Sequence, residues 1–454
     1  MPNPPGRSSS RGWIPAPPGG PRRSRRRGLA GAAALLVAAG TLAACGGDSG
    51  GPPTLTWYTN PDSGGQDEIA SRCTDAAEGR YRIETSGLPR QSAGQREQLV
   101  RRLAAEDDSI DIMSLDPPFI PEFASAGFLA PVPDDVAQRV TDGVVPSAVD
   151  MTTWDGDLVA VPFWANTQLL WYRKSVAEAA GLDTSAADTW TWDDIIGAAQ
   201  SQDVLIGAQG TRAESLMVWY NALIESAGNS VIQENSEIPD EIDFGFTSDG
   251  GVRAAEVMKA VATSGQVSPA FSTETEDASA TGFESDEGGF MVNWPFVYAR
   301  ALAAVEAGTL DQSVPDDYGW TLYPRVNPDE PSAPPLGGIG LGIGAFGKHP
   351  DLAFEAAECI VSFENQKYYM LTNGNPAALA AVYDDPEVQQ EYPMATTIRE
   401  SLEAAAPRPQ TPYYSEVSEG TQRTYHPPSS IDPGTTGQKA TDLIHAVLSG
   451  DQLL

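Results

Sequence analysis

Gly47-Asp48-Ser49-Gly50-Gly51 spells the loop that presents a nucleophilic serine in trypsin-like proteases, and Gly342-Ile343-Gly344-Ala345-Phe346-Gly347 spells a dinucleotide-binding turn. Neither has the surroundings its chemistry needs. The first has no preceding domain to supply a histidine and an aspartate in that order. The second alternates glycines within an apparent strand, whereas a phosphate-cradling turn must follow a strand and open a helix. His349, His426 and His445 stand far apart, with no cysteine or carboxylate at ligand spacing, so no metal site is expected. No other cofactor is expected. Glycoside hydrolysis needs two opposed carboxylates, one with a raised pKa, and acids are too abundant here for their number to exclude such a pair. Against that chemistry stand the fold pattern and the lack of a recognisable catalytic segment. Binding chemistry has better candidates. Asp62 and Asp116 follow short strands, Trp294 closes one, and Arg408 stands between two prolines.

The elements that would position these groups alternate. Thr54–Tyr58, Tyr81–Thr85 and Ile110–Leu115 read as strands; Gln66–Ala77 reads as a helix, and Gln95, Leu99 and Leu103 line one face of another. Strands separated by helices imply crossovers and a parallel sheet, with ligands at the carboxyl ends of the strands. Asp116 stands at such an end. Trp154-Asp155-Gly156-Asp157 reads as a hairpin turn, and the extended run Leu158–Tyr172 contains Pro162, which a central strand would not tolerate. A crossing between two lobes is expected there, with a return through the proline-rich 324–335. Thr191-Trp192-Asp193-Asp194 marks a helix start. Helices follow over 214–227 and 249–264, strands over 289–294 and 337–346, then a helix through Cys359 and a mostly helical end.

The 454 residues carry 28 basic and 62 acidic side chains. Arg22, Arg23, Arg25, Arg26 and Arg27 precede the apolar run 29–43, which is short for a membrane span and suits an export signal. Ser24-Arg25-Arg26 fits either the twin-arginine or the general route. Leu42-Ala43-Ala44-Cys45 followed by a Gly/Ser-rich stretch resembles a lipobox. That implies residues 1–44 as signal peptide, a lipid on Cys45 and 45–53 as a flexible tether. The chain from residue 45 then holds 21 basic and 62 acidic residues, net −41, a surface that repels nucleic acid and anionic lipid and fits a neutral or cationic ligand. About 400 remaining residues suggest two lobes. Outside the cytoplasm, Cys73 and Cys359 form an even pair that favours a disulfide over two buried thiols.

Asp157–Pro162 with Leu170-Trp171-Tyr172-Arg173, the helix start at Thr191–Asp194, Phe290-Met291-Val292-Asn293-Trp294-Pro295-Phe296 and Gly337-Gly338-Ile339-Gly340 resemble the extracellular solute-binding proteins of carbohydrate ABC importers, over nearly all of residues 54–454. Asn166–Tyr172, Val292–Val297 and Arg408-Pro409-Gln410-Thr411-Pro412 resemble the trehalose-binding lipoproteins among them. The resemblance implies an α/β, two-lobed periplasmic-binding-protein-like (type II) fold, each lobe a mixed five-stranded sheet flanked by helices, with a hinge between them. Lobe 1 would comprise 54–160 and 336–378, lobe 2 residues 161–335 and 379–454. It implies a monomeric, non-catalytic protein that is lipid-anchored on the outer face of the cell membrane. There it would bind a disaccharide, trehalose above others, and pass it to membrane permease subunits driven by a cytoplasmic ATPase. A secreted glycoside hydrolase and a sugar-sensing receptor lipoprotein are the alternatives.

A sugar offers hydroxyls and weakly apolar ring faces, so its site wants paired acceptors, amides, an arginine fork and an aromatic plane. The residues that match the family's positions are Asp116 and Glu276 as hydroxyl acceptors, Asn166 as donor and acceptor, and Trp294 as the plane. Gly338 would allow close backbone approach, and Arg408 would supply the fork. Each has a plainer reading: a helix cap for Asp116, a hairpin role for Asn166, a solvated charge run for Glu276, a core indole for Trp294 and a surface arginine for Arg408. The loop 88–95 and the short stretch 323–335 depart from the family pattern, and ligand identity could shift with either.

Overall fold

Three short runs rich in β-branched and aromatic residues open the described chain as strands, separated by amphipathic helices whose apolar stripes face the sheet. The computed structural model describes residues 51–454 apart from Ser63 and Glu237. The expected signal peptide, the lipidation site Cys45 and most of the tether lie outside the described residues. β1 (Thr54–Thr59) is followed by α1 (Gly65–Ala76), β2 (Arg82–Gly87), α2 (Ser92–Leu103) and β3 (Ile112–Leu115). Gln95, Leu99 and Leu103 form the buried face of α2. β1 pairs in parallel with both β2 and β3. Two later strands, β4 (Val161–Thr167) and β9 (Leu336–Ile343), complete a five-stranded sheet in the order β2-β1-β3-β9-β4, with β9 antiparallel to both neighbours.

A second sheet is built from β5 (Leu169–Arg173), β6 (Leu205–Gly207), β7 (Gly288–Asn293) and β8 (Tyr318–Thr321), in the order β8-β5-β7-β6. Only β6 and β7 run parallel there. Both sheets are mixed, and the second has four strands where five were expected. Around it stand α3 (Glu214–Ser226), α4 (Glu276–Glu284) and α6 (Tyr414–Tyr425); α5 (Pro350–Ile360) belongs to the first lobe.

The first crossing between sheets falls a strand later than expected. Val161–Thr167 pairs with β9 in the first sheet, so the chain changes lobe at Gln168, not at residue 160. Pro162 is tolerated because β4 is an edge strand, and it sits beside an irregularity at Ile339/Gly340. The last crossing is also later than residue 378: helix Ala395–Ala404 packs on β4, where Ser401 Oγ and Thr167 Oγ1 share a buried hydrogen bond of 2.7 Å. The two remaining crossings meet. The N–H of Leu336 donates to the Ala406 carbonyl, and the N–H of Ala406 to the Pro334 carbonyl, both at 2.9 Å.

One core, containing Trp57, Cys73, Phe163, Ile339 and Tyr369, belongs to the first lobe alone. Cys73 on α1 and Cys359 on α5 are joined as a disulfide across it. Thr191 caps the next helix as the sequence pattern indicates: its Oγ1 accepts from the Asp194 N–H, and Asp194 Oδ2 accepts from the Thr191 N–H. Among the described residues, no helix is long and apolar enough to cross a membrane.

Candidate functional site

Asp116 follows β3 and stands immediately before Pro117-Pro118. A following proline forces its neighbour into extended backbone, and Asp116 has φ −65° and ψ 129°. Its carboxylate therefore leaves the carboxyl end of the strand instead of turning back onto the next helical turn. No cap hydrogen bond forms, which removes the helix-cap reading. The carboxylate instead crosses to the other lobe, where Arg408 Nη2 donates to Asp116 Oδ1 at 2.5 Å.

Arg408 is held between Pro407 and Pro409, whose rings fix two backbone angles. The Pro407 carbonyl accepts from Asn221 Nδ2 on α3 at 3.0 Å. The side chain is 5% exposed and also donates through Nη1 to Glu214 Oε1 at 2.6 Å. This is no surface arginine. Burial opposes its charge, but Asp116, Tyr414 and Glu214 more than offset that, and the guanidinium stays protonated above its ordinary value. Phe119, three residues beyond Asp116, packs edge-on against Tyr414 with ring centroids 5.4 Å apart. One lobe thus meets the other through an ion pair backed by an aromatic pair.

Asn166, Trp294 and the β9 glycines form a second group. Asn166 pairs with Gly337 across the strands. A side-chain carbon at Gly337 would lie 3.1 Å from the Trp294 ring and 3.7 Å from Asn166, so the indole rests on the strand because no side chain stands there. Trp294 is half-buried, not a core residue. Its N–H donates to Asn293 Oδ1 at 2.9 Å. Asn293 Nδ2 in turn donates to the Glu276 carbonyl at 2.9 Å, tying the end of β7 to the start of α4. Gly338 has φ +125°, and a Cβ there would sit 2.3 Å from the Trp164 carbonyl oxygen. Strand packing alone requires this glycine; contact with a ligand is a separate matter.

Glu276 is half-buried, not a fully solvated acid. It is the first residue of α4, capped by Thr275, whose side chain accepts from the Ala278 N–H. Burial raises its carboxyl above the ordinary range, and a hydrogen bond with Ser215 acts against that rise. Nearby Glu274 is 6% exposed, its Oε2 is buried without a hydrogen-bond partner, and burial pushes it up to about 8.

The six expected residues therefore fall into two groups: Asp116 with Arg408, and Asn166, Trp294 and Gly338 with Glu276 behind them. The amino terminus of α3 lies between them, Glu214 touching one group and Ser215 the other. Beside Asp116 lies a cavity of about 10 Å³, lined by Gln95, Arg96, Ser114 and Phe119 among others. A larger one, about 260 Å³, is lined by Glu225, Ser230, Gln233, Asn235, Arg408 and Gln410 in the second lobe. Residues missed by sequence reasoning are Glu214, which accepts from Arg408, and Tyr414 and Ser418, whose hydroxyls donate to Glu214. The signal available was an acid opening a helix that continues into the apolar and aromatic run Leu216–Tyr220. Among the described residues no group of His, Cys, Asp and Glu could hold a metal ion.

Two mixed sheets, linked by crossings that meet, with polar and aromatic groups facing each other across the junction, define a two-lobed binding protein. The family model for bacterial extracellular solute-binding proteins matches residues 82–394, more than half of the chain, and the chain belongs to that family. It is a binding protein rather than an enzyme. A probable ABC transporter-binding protein of Deinococcus radiodurans is 24% identical over 293 residues, 60% of this chain and 64% of that protein, so the match spans slightly less than two thirds of that relative's length. A mannitol-binding protein of Pseudomonas aeruginosa is 28% identical over 96 residues, 21% of this chain and 22% of its own. Among solved structures, maltose-bound MalE3 of T. maritima superposes with a TM-score of 0.72 at 24% identity, covering 88% of this chain and all of that one. The GacH receptor of Streptomyces glaucescens gives 0.72 at 18% identity, with the same coverage. These likenesses establish the fold.

Proposed function

We propose that this chain captures a neutral disaccharide, trehalose above others, between its two lobes and delivers it to an ABC importer. The observation that carries the reading is the placement of a carboxylate from lobe 1 and a guanidinium from lobe 2 against each other, 2.5 Å apart, near an indole that closes a strand of the second sheet. A carboxylate and an arginine fork serve vicinal hydroxyls, and an indole covers a ring face. The sequence likeness of 166–172, 292–297 and 408–412 to the trehalose-recycling lipoprotein of mycobacteria supports the choice of disaccharide. Two structural neighbours carry maltose and D-mannitol, which fits a ligand rich in hydroxyls.

Sugar favours the closed arrangement because both lobes then contact it. Asp116 and Arg408 part to admit it and each then turns to hydroxyls. Lobe 1 is 54–167 with 336–404, and lobe 2 is 168–335 with 405–454. The protein works as a monomer, anchored outside the cell through a lipid on Cys45, and docks on a permease pair driven by a cytoplasmic ATPase. Its acidity disfavours anionic ligands. Titration calorimetry of the chain from residue 46 against trehalose, maltose and sucrose tests this. Trehalose binding near micromolar, about −8 kcal/mol, is expected, and steady release of glucose or no binding at millimolar sugar would refute it.

A further inference from the structure

We infer that Glu214 is a positioning residue of the binding site: it keeps the Arg408 guanidinium with the second lobe, aimed across the junction, whether or not Asp116 is its partner. The link to sugar rests on the function proposed above.

Glu214 is the first residue of α3, and Ala213 before it offers no side-chain cap. A carboxylate there is favoured by the partial positive charge of the helix amino terminus. The helix cannot easily shift, since every residue from Ser215 to Ile224 is buried. The carboxylate is itself pinned by three donors from two other segments. Oε1 accepts from Arg408 Nη1 at 2.6 Å and from the Tyr414 hydroxyl, and Oε2 accepts from Ser418 Oγ at 2.7 Å.

Arg408 therefore divides its fork. Nη1 serves Glu214 within the lobe and lies 3.5 Å from Asp116 Oδ2, while Nη2 serves Asp116 across the junction at 2.5 Å. One guanidinium stands between two carboxylates. If Glu214 were absent, Asp116 would be its only counter-charge, and Arg408 would follow Asp116 when the lobes separate. With Glu214 present, the Nη1 edge stays fixed and only the Nη2 edge changes partner, so a hydroxyl meets a donor already in place. Placing one donor in advance lowers the ordering cost of binding. The next residue, Ser215, bonds the Glu276 carboxyl, so two consecutive residues of α3 orient acceptor and donor on both sides of the site.

The test compares Glu214→Ala and Glu214→Gln with the unmodified chain. Trehalose affinity should fall about tenfold or more in Glu214→Ala, as for loss of one partner of a buried charge pair. It should recover in part in Glu214→Gln, which keeps an acceptor for Arg408. In an Arg408→Ala background, Glu214→Ala should change affinity by less than about twofold, since coupled residues are not additive. Nitrogen NMR of the guanidinium, assigned by its loss in Arg408→Lys and read in an Asp116→Ala background, should show two distinct, slowly exchanging Nη signals in the sugar-free protein and their collapse when Glu214→Ala is added. Full affinity in Glu214→Ala, losses that add, or an unchanged Nη pattern would each overturn the inference. If the unmodified chain binds no sugar while the Nη signals collapse as expected, the hold on Arg408 stands and the sugar reading falls.

Discussion

Where the lobes meet, one side pairs its charged groups and the other leaves its carboxyls without a charged partner. Asp116, Arg408 and Glu214 each have an oppositely charged partner within hydrogen-bonding distance. At the start of α4, by contrast, Glu276 and nearby Glu274 have no ion-pair partner among the described residues, and burial raises both carboxyls above their ordinary range. The difference separates two ways of recognising a hydroxyl-rich ligand. A charged fork sets direction and strength. A half-buried indole offers shape and apolar cover, and its placement depends on a strand position without a side chain.

The largest effect should appear on the uncharged side. Glu274 rises from 4.5 to about 8 in the folded chain. Its contribution is thus complete below the unfolded value and is lost as pH climbs through about 8. At 1.36 kcal/mol per unit, that loss is on the order of 5 kcal/mol. Thermal melts of the unmodified chain should fall between about pH 5 and pH 9, and Glu274→Gln should flatten much of that fall. Parallel curves would mean that Glu274 is charged in the fold and that the contrast between the two sides is wrong.

On the charged side, Asp116→Ala and Arg408→Ala should each weaken trehalose binding at least a hundredfold, about 3 kcal/mol, with cooperative melting preserved. Calorimetry beside circular dichroism checks both. Trp294→Ala should cost less, about tenfold, because it removes apolar cover and leaves every ion pair in place. A loss from Trp294→Ala that equalled that of Arg408→Ala would erase the ranking. Smallest of all, Asp277→Asn removes an exposed pair in which Arg90 Nη2 reaches from the first lobe to Asp277 at 2.9 Å. Affinity should change by less than about threefold, and the change should vanish in high salt.

The sheets and their order of helices were legible because hydrophobic spacing and turn residues agree along the chain. Asp116 was legible too, since an acid between a buried strand and two prolines has few places to point. The first crossing was misplaced because Pro162 was taken to exclude a central strand and the edge position of β4 was not visible in one dimension. Glu276 reads as part of a solvated charge run because the Thr275 cap lacks an acid three residues on to complete the usual pattern. Glu214 went unseen for a physical reason: an acid at a helix start already has a local explanation in the helix dipole, so nothing local signals a partner 194 positions away. The suppressed charge of Glu274 depends on burial, which a run of acids does not announce.

A crystal structure of the chain grown with trehalose tests the central claim most directly. The sugar should lie between the lobes, with hydroxyls on Asp116 and on Arg408 Nη2, one ring face on Trp294, and Arg408 Nη1 still on Glu214. Sugar seated instead among Glu225, Gln233 and Gln410, or a junction that stays closed by the Asp116–Arg408 pair at saturating trehalose, would contradict it.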